Sequence, residues 1–174
     1  VVGTLEVSAP TEEATTGATR SGVAASPDRI GSRVRTDTER KEREMSQENV
    51  DLVRGGYDDF NSGNIEGVTA RFDAEVEWIE PGGGTAPSGT FKGPDSVAND
   101  VFAKVPENFD EFRCDVEEAS DEGDTVVVTA HFKGKNKSGA ELDTQAEHVW
   151  EVRGGKVTRF ENKVDQEVWA KGWS

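Results

Sequence analysis

Residues 45–174 of this 174-residue chain predict one α+β domain. Three observations predict it: an apolar stripe at helical spacing from Val50, two further short helical stretches, and four long runs after Phe109 set apart by Gly-containing turns. Helices followed by an antiparallel meander define that class. The chain is long enough to bury one ordinary core, and two full domains are not expected.

Residues 1–44 are rich in Ser, Thr, Ala, Gly and Arg, with no strand or helix periodicity before the charged run Asp37 to Glu44. They read as a disordered tail or, with Met45 as the true initiator, an extended gene call. Ser46 is the expected N-cap of the first helix, on which Val50, Val53, Tyr57 and Phe60 form one stripe ending at Asn61-Ser62-Gly63. Gly55 and Gly56 inside it each cost roughly 1 kcal/mol relative to Ala, so packing must hold this helix.

A second helix is expected from Ile65 to about Phe72. Ala74 to Glu80 alternates as a strand, with Val76, Trp78 and Glu80 sharing a face. The loop Pro81-Gly82-Gly83-Gly84 lacks the Gly-Lys-Ser/Thr of a phosphate loop. Gly93-Pro94 opens a third helix that buries Val97, Val101 and Val105. Strands then run over about 109–119, 125–135, 141–152 and 156–164. Val168, Trp169 and Trp173 suggest a terminal helix or tail lying over a pocket mouth or a neighbouring subunit.

With 35 Asp and Glu against 20 Lys and Arg, the net charge is -15. The excess lies after residue 44, since the first 44 residues hold 8 acids and 7 bases. Such a surface repels phosphate backbones and anionic lipid, so neither nucleic acid nor a membrane is an expected partner. The same charge density suits a halophilic protein from a salt-rich cytosol. In a melting series in KCl, maximal stability at low salt would contradict that expectation. The single cysteine, Cys114, excludes an intramolecular disulfide, and no Cys and His cluster has zinc spacing. A cytoplasmic location is expected.

Several patterns resemble the SnoaL-like branch of the superfamily that includes nuclear transport factor 2 and the steroid Δ-isomerases. They are Glu48-Asn49-Val50 with Leu52-Val53-Arg54, Tyr57-Asp58-Asp59-Phe60-Asn61-Ser62-Gly63-Asn64, Val76-Glu77-Trp78 with Glu80-Pro81, Gly89-Thr90-Phe91-Lys92-Gly93, and His148-Val149-Trp150 with Gly154-Gly155-Lys156-Val157. The likeness spans Met45 to Ser174. It implies a cone-shaped, cystatin-like fold, a curved antiparallel sheet around three helices, and a homodimer formed through the outer sheet face. In the enzymes of that superfamily, a carboxylate base faces a hydrophobic substrate at the open end.

By that resemblance Glu80, just before Pro81, stands where the isomerases carry their base. Shielded from water, its pKa would rise toward neutrality, as in the ketosteroid isomerase that is the standard example of such tuning. An exposed acid at a strand end is the other reading of Glu80. His148 shares an apolar face with Ala146, Trp150 and Val152. It either donates a hydrogen bond to a reacting oxygen or is a core histidine satisfied by Tyr57 or a backbone carbonyl. Asn162 shares a face with Phe160 and Val164, where the resemblance to polyketide cyclases calls for aspartate. The isomerase tyrosine falls at Gly56, with Tyr57 one residue off, about 100° around a helix.

His131 falls on the outer face, and Cys114 packs as a small apolar group. The sequence therefore predicts a protein that binds a small apolar molecule in a pocket lined by Tyr57, Trp78, Phe91, Phe102, Trp150 and Phe160. Glu80, His148 and Asn162 are the candidate catalytic set. Two functions follow: an isomerase- or cyclase-type enzyme needing no metal or organic cofactor, or a non-catalytic ligand-binding or dimerisation module.

Overall fold

Helix α1 spans Asp37–Asn61 in the structure, a computed structural model that describes residues 36–174. It starts nine residues before the expected cap. Thr36 and Glu39 form a reciprocal capping box, Thr36 Oγ1 accepting from the Glu39 amide at 3.2 Å and Glu39 Oε2 from the Thr36 amide at 3.0 Å. Ser46 lies mid-helix and donates its hydroxyl to the Asp121 carboxylate instead. The charged run Asp37 to Glu44, expected in the tail, is thus the exposed first part of this helix. The rest of the expected tail, residues 1–35, lies outside the described residues.

The helical glycines have a packing reason. A Cβ on Gly55 would come within 2.9 Å of Arg71 Nη2, and one on Gly56 within 3.9 Å of Arg71 Cδ. Their bare surface lets the Arg71 side chain cross the helix to reach the Asp59 carboxylate and the Gly67 carbonyl. The hydrogen bond from Asn64, with that from the arginine, holds the Asp59 pKa below its ordinary value.

After α1 come α2 (Ile65–Thr69), β1 (Phe72–Gly83), β2 (Ala86–Lys92), α3 (Pro94–Ser96), a π-helical turn (Val97–Phe102) and α4 (Lys104–Asn108). β3 (Phe109–Asp121), β4 (Thr125–Asn136), β5 (Glu141–Arg153), β6 (Lys156–Val164) and α5 (Gln166–Gly172) complete the chain. α2 is shorter than its sequence pattern suggests because Phe72 already begins β1. The expected third helix is broken by the π turn, which still buries Val97, Val101 and Phe102.

One curved, unclosed sheet has the order β2-β1-β6-β5-β4-β3. It is not wholly antiparallel: β1 runs parallel to β6, with Trp78 beside Phe160. A parallel pair needs a long connection, and the stretch from β2 through β5 supplies it. Period-two alternation sends Val126, Val128, Ala130 and Phe132 of β4 inward with Leu142, Ala146, His148, Trp150 and Val152 of β5. On the outer face His131 lies between Glu117 Oε1 at 3.0 Å and Asp143 Oδ1 at 2.6 Å. Among the described residues no helix is long and apolar enough to cross a membrane.

Candidate functional site

The concave side of the sheet, α1, α2, the π turn, α4 and α5 enclose a cavity of about 70 Å³. Its wall is mostly aromatic. Trp78 stacks on Phe160 with ring centroids 3.7 Å apart, and Trp150 lies 4.5 Å from Phe160 and 5.5 Å from Trp78. This packing of large rings holds the polar side chains between them in fixed positions.

Among the described residues Glu80 is the one acid in the wall, and no Lys or Arg lines the cavity. Alternation along β1 turns it inward after Val76 and Trp78, and it is 8 % exposed. Trp78 Nε1 donates to Glu80 Oε1 at 2.6 Å and Asn162 Nδ2 donates to Oε2 at 2.9 Å. Burial raises the Glu80 pKa from about 4.5 to about 7, against the pull of those two bonds. The solvated-acid reading of Glu80 does not fit this position.

His148 on β5 stands directly across from Asn162 on β6 and is 2 % exposed. Tyr57, reaching in from α1, has its hydroxyl 2.6 Å from His148 Nδ1 and accepts from Trp150 Nε1 at 3.0 Å. The phenol has one hydrogen, and giving it to Nδ1 leaves no buried hydroxyl proton without an acceptor. His148 then carries its own proton on Nε2. Burial pushes the His148 pKa down to about 3, against the pull of the facing Asn162, so the ring is a neutral N–H donor near pH 7. Satisfaction by Tyr57 thus holds for one ring nitrogen only. Among the described residues, Nε2 and the facing Asn162 Oδ1 have no partner.

Of the residues expected from sequence, Glu80, His148, Asn162, Tyr57, Trp78, Phe102, Trp150 and Phe160 line the cavity. Phe91 does not. It pairs with Trp78 from β2, packs at the edge of the core and remains half-buried outside the cavity wall. Cys114 lines the cavity and is 3 % exposed, and burial raises its thiol pKa well above the ordinary value. The terminal element expected over a pocket mouth or a neighbouring subunit is α5, and Trp169 on it and Trp173 at its C-cap stand in the cavity wall, where they were not expected.

The Gly-rich stretch seats that helix. At Gly84, which has φ +59°, a Cβ would lie 2.7 Å from the carbonyl oxygens of Ala170 and Trp173. Gly83 would meet the Ala170 side chain at 2.9 Å. Thr85 then fastens the contact, its amide donating to the Trp173 carbonyl at 2.9 Å and its hydroxyl at 2.6 Å.

A family model described as a SnoaL-like domain matches residues 53–160. An NTF2-like protein of unknown function from Burkholderia pseudomallei is 26 % identical, with a TM-score of 0.67 over 73 % of this chain and 98 % of that one. TerC, co-crystallised with polyporic acid, is also 26 % identical, with a TM-score of 0.65 over 72 % and 98 %. A Catenulispora acidiphila protein with a ketosteroid isomerase-like fold, in complex with trimethylamine, shares the fold at 18 % identity. Its TM-score is 0.59, over 70 % of this chain and 91 % of that one. No functionally curated protein matches the chain.

Proposed function

The chain belongs to the SnoaL-like domain family, and from that premise we propose that it binds a small, largely apolar carbonyl compound and moves a proton on it, with Glu80 as base. The observation that carries this reading is the Glu80 carboxyl, buried in an aromatic cavity with two donors, no cation in the wall among the described residues and a pKa of about 7. A base so tuned is half ionised at neutral pH and still strong enough to accept a proton from a carbon acid.

In the proposed step Glu80 takes a proton from the carbon next to the carbonyl. The electron pair moves onto the carbonyl oxygen, where neutral His148 donates its Nε2–H to the growing charge. Glu80 then returns the proton to the same or a neighbouring carbon. Asn162 holds the carboxylate in position through Nδ2. A partner copy on the outer sheet face, where Ile79, Val127 and Val149 are half-exposed, completes the proposal as a homodimer, and native mass spectrometry reads its subunit count.

A second reading, a non-catalytic binding or dimerisation module, draws support from the cavity volume. At about 70 Å³ it is well below the roughly 150 Å³ of a cavity that admits benzene. Under the catalytic reading the ligand is correspondingly small, or part of the wall moves to admit it.

Deuterium exchange separates the two. Cyclopentanone in D2O is expected to exchange its α-hydrogens faster with the protein than in buffer, with a pH dependence centred near 7. Glu80→Gln is expected to lower the protein-dependent rate by about 10²-fold or more. Exchange that survives this change intact would rule Glu80 out as the base.

A further inference from the structure

Four tryptophans occur in the chain, and among the described residues two of their N–H groups find an acceptor. Trp78 donates to Glu80 and Trp150 to Tyr57. Trp169 and Trp173 are as deeply buried, 3 % and 2 % exposed, yet among the described residues neither Nε1 has an acceptor. Both side chains line the cavity. An indole nitrogen is a donor only, so a buried one without an acceptor is destabilising unless something else supplies the oxygen.

Packing alone does not account for the pair. Their rings rest against each other at 5.5 Å, with Phe132 4.8 Å from Trp169 and Phe109 4.8 Å from Trp173. Those contacts supply aromatic area and no oxygen acceptor for the N–H. The helix that presents them is firmly seated. Asp165 caps it by accepting from the amides of Glu167 and Val168, Gly83 and Gly84 let it approach β1, and Asn136 Nδ2 donates to the Gly172 carbonyl at 3.2 Å. Two donors are thereby held in place beside α5, with Phe132 packed against both Trp169 and His148.

We propose that the indole N–H groups of Trp169 and Trp173 select ligands by binding a neutral oxygen acceptor, a carbonyl or ether oxygen, within this cavity. The inference rests on the reading of the cavity as a ligand site and adds to it a second recognition element on α5. Neutrality follows from the wall. Among the described residues an anion would find Glu80 and no Lys or Arg, and a cation drawn to Glu80 or to the rings would still leave both indole N–H groups without an acceptor. A hydrocarbon would leave both donors without a partner.

A matched set of five-membered rings tests this: cyclopentanone, cyclopentane, cyclopentanecarboxylate and cyclopentylammonium, each titrated against the full chain by ligand-observed NMR. Cyclopentanone is expected to bind most tightly. Trp169→Phe and Trp173→Phe keep an aromatic ring and remove the N–H, and each is expected to cut the preference for cyclopentanone over cyclopentane about fivefold. Cyclopentane binding serves as the internal control for a wall that has merely loosened, because loosening changes both affinities together. A cyclopentanone preference unchanged in both variants overturns the proposal, as does tightest binding of the ammonium or the carboxylate. If Glu80→Gln abolishes exchange while the two tryptophan variants keep the preference, this inference fails and the base assignment stands. If no ring binds the parent protein, the cavity is not a ligand site and both fail.

Discussion

Glu80→Gln is expected to be about 3 kcal/mol more stable than the parent protein at pH 8 and close to it at pH 4. The sign follows from where the proton resides. The folded-state pKa of Glu80 is raised from about 4.5 to about 7, so between those values the folded protein keeps a proton that the unfolded chain has lost. Stability therefore falls as pH rises through that window, and the loss is complete above it. An amide at this position carries no charge to desolvate. It still accepts from Trp78, and a rotated Asn162 amide turns its free Oδ1 toward the new donor. Urea unfolding of both proteins across pH 4 to 8 reads the difference directly. Equal stability at pH 8 would mean that Glu80 ionises without penalty.

His148 has the opposite sign. Its folded-state pKa is lowered from about 6.5 to about 3, so the unfolded chain takes up the proton first and stability is lost as pH falls through that range. The two windows overlap between about 4.5 and 6.5, where their slopes oppose each other. In the Glu80→Gln protein the His148 slope alone remains there.

Tyr57→Phe is expected to cost about 3 kcal/mol, with little change in packing volume. The hydroxyl serves two buried groups at once, accepting from Trp150 Nε1 at 3.0 Å and bonding His148 Nδ1 at 2.6 Å. Removing it leaves both without a partner, and each such group costs about 1–3 kcal/mol. It also removes the contact that assigns the His148 proton to Nε2. Denaturant unfolding at pH 7 checks the cost. A loss below about 0.5 kcal/mol would show that the network contributes nothing net, and would undermine the assigned tautomer.

Much of this site is legible from period-two alternation. Glu80, His148 and Asn162 can each be placed on an inner face because Trp78, Trp150 and Phe160 fix the parity of their strands. The side-by-side placement of Glu80 and Asn162 is less accessible, since it depends on β1 lying parallel to β6 across a long connection that no local pattern encodes. Phe91 misleads for a related reason. No strand is expected from sequence at residues 86–92, and β2, the edge of the sheet, leaves Phe91 at the rim. Trp169 and Trp173 do sit four residues apart, the spacing that puts two side chains on one helical face. Their place in the wall depends on the close glycine contacts at residues 83 and 84, visible only once α5 is docked. The early start of α1 had a local signal, the Thr36 to Glu39 capping box, hidden within a run of charges with no apolar stripe.

The most direct test of the account is a titration of the Glu80 side-chain carboxyl by 13C NMR, in protein labelled at glutamate and assigned by comparison with Glu80→Gln. The account predicts one glutamate resonance, missing from the variant, with a midpoint near pH 7. A midpoint for Glu80 near 4.5, the ordinary glutamate value, would contradict it.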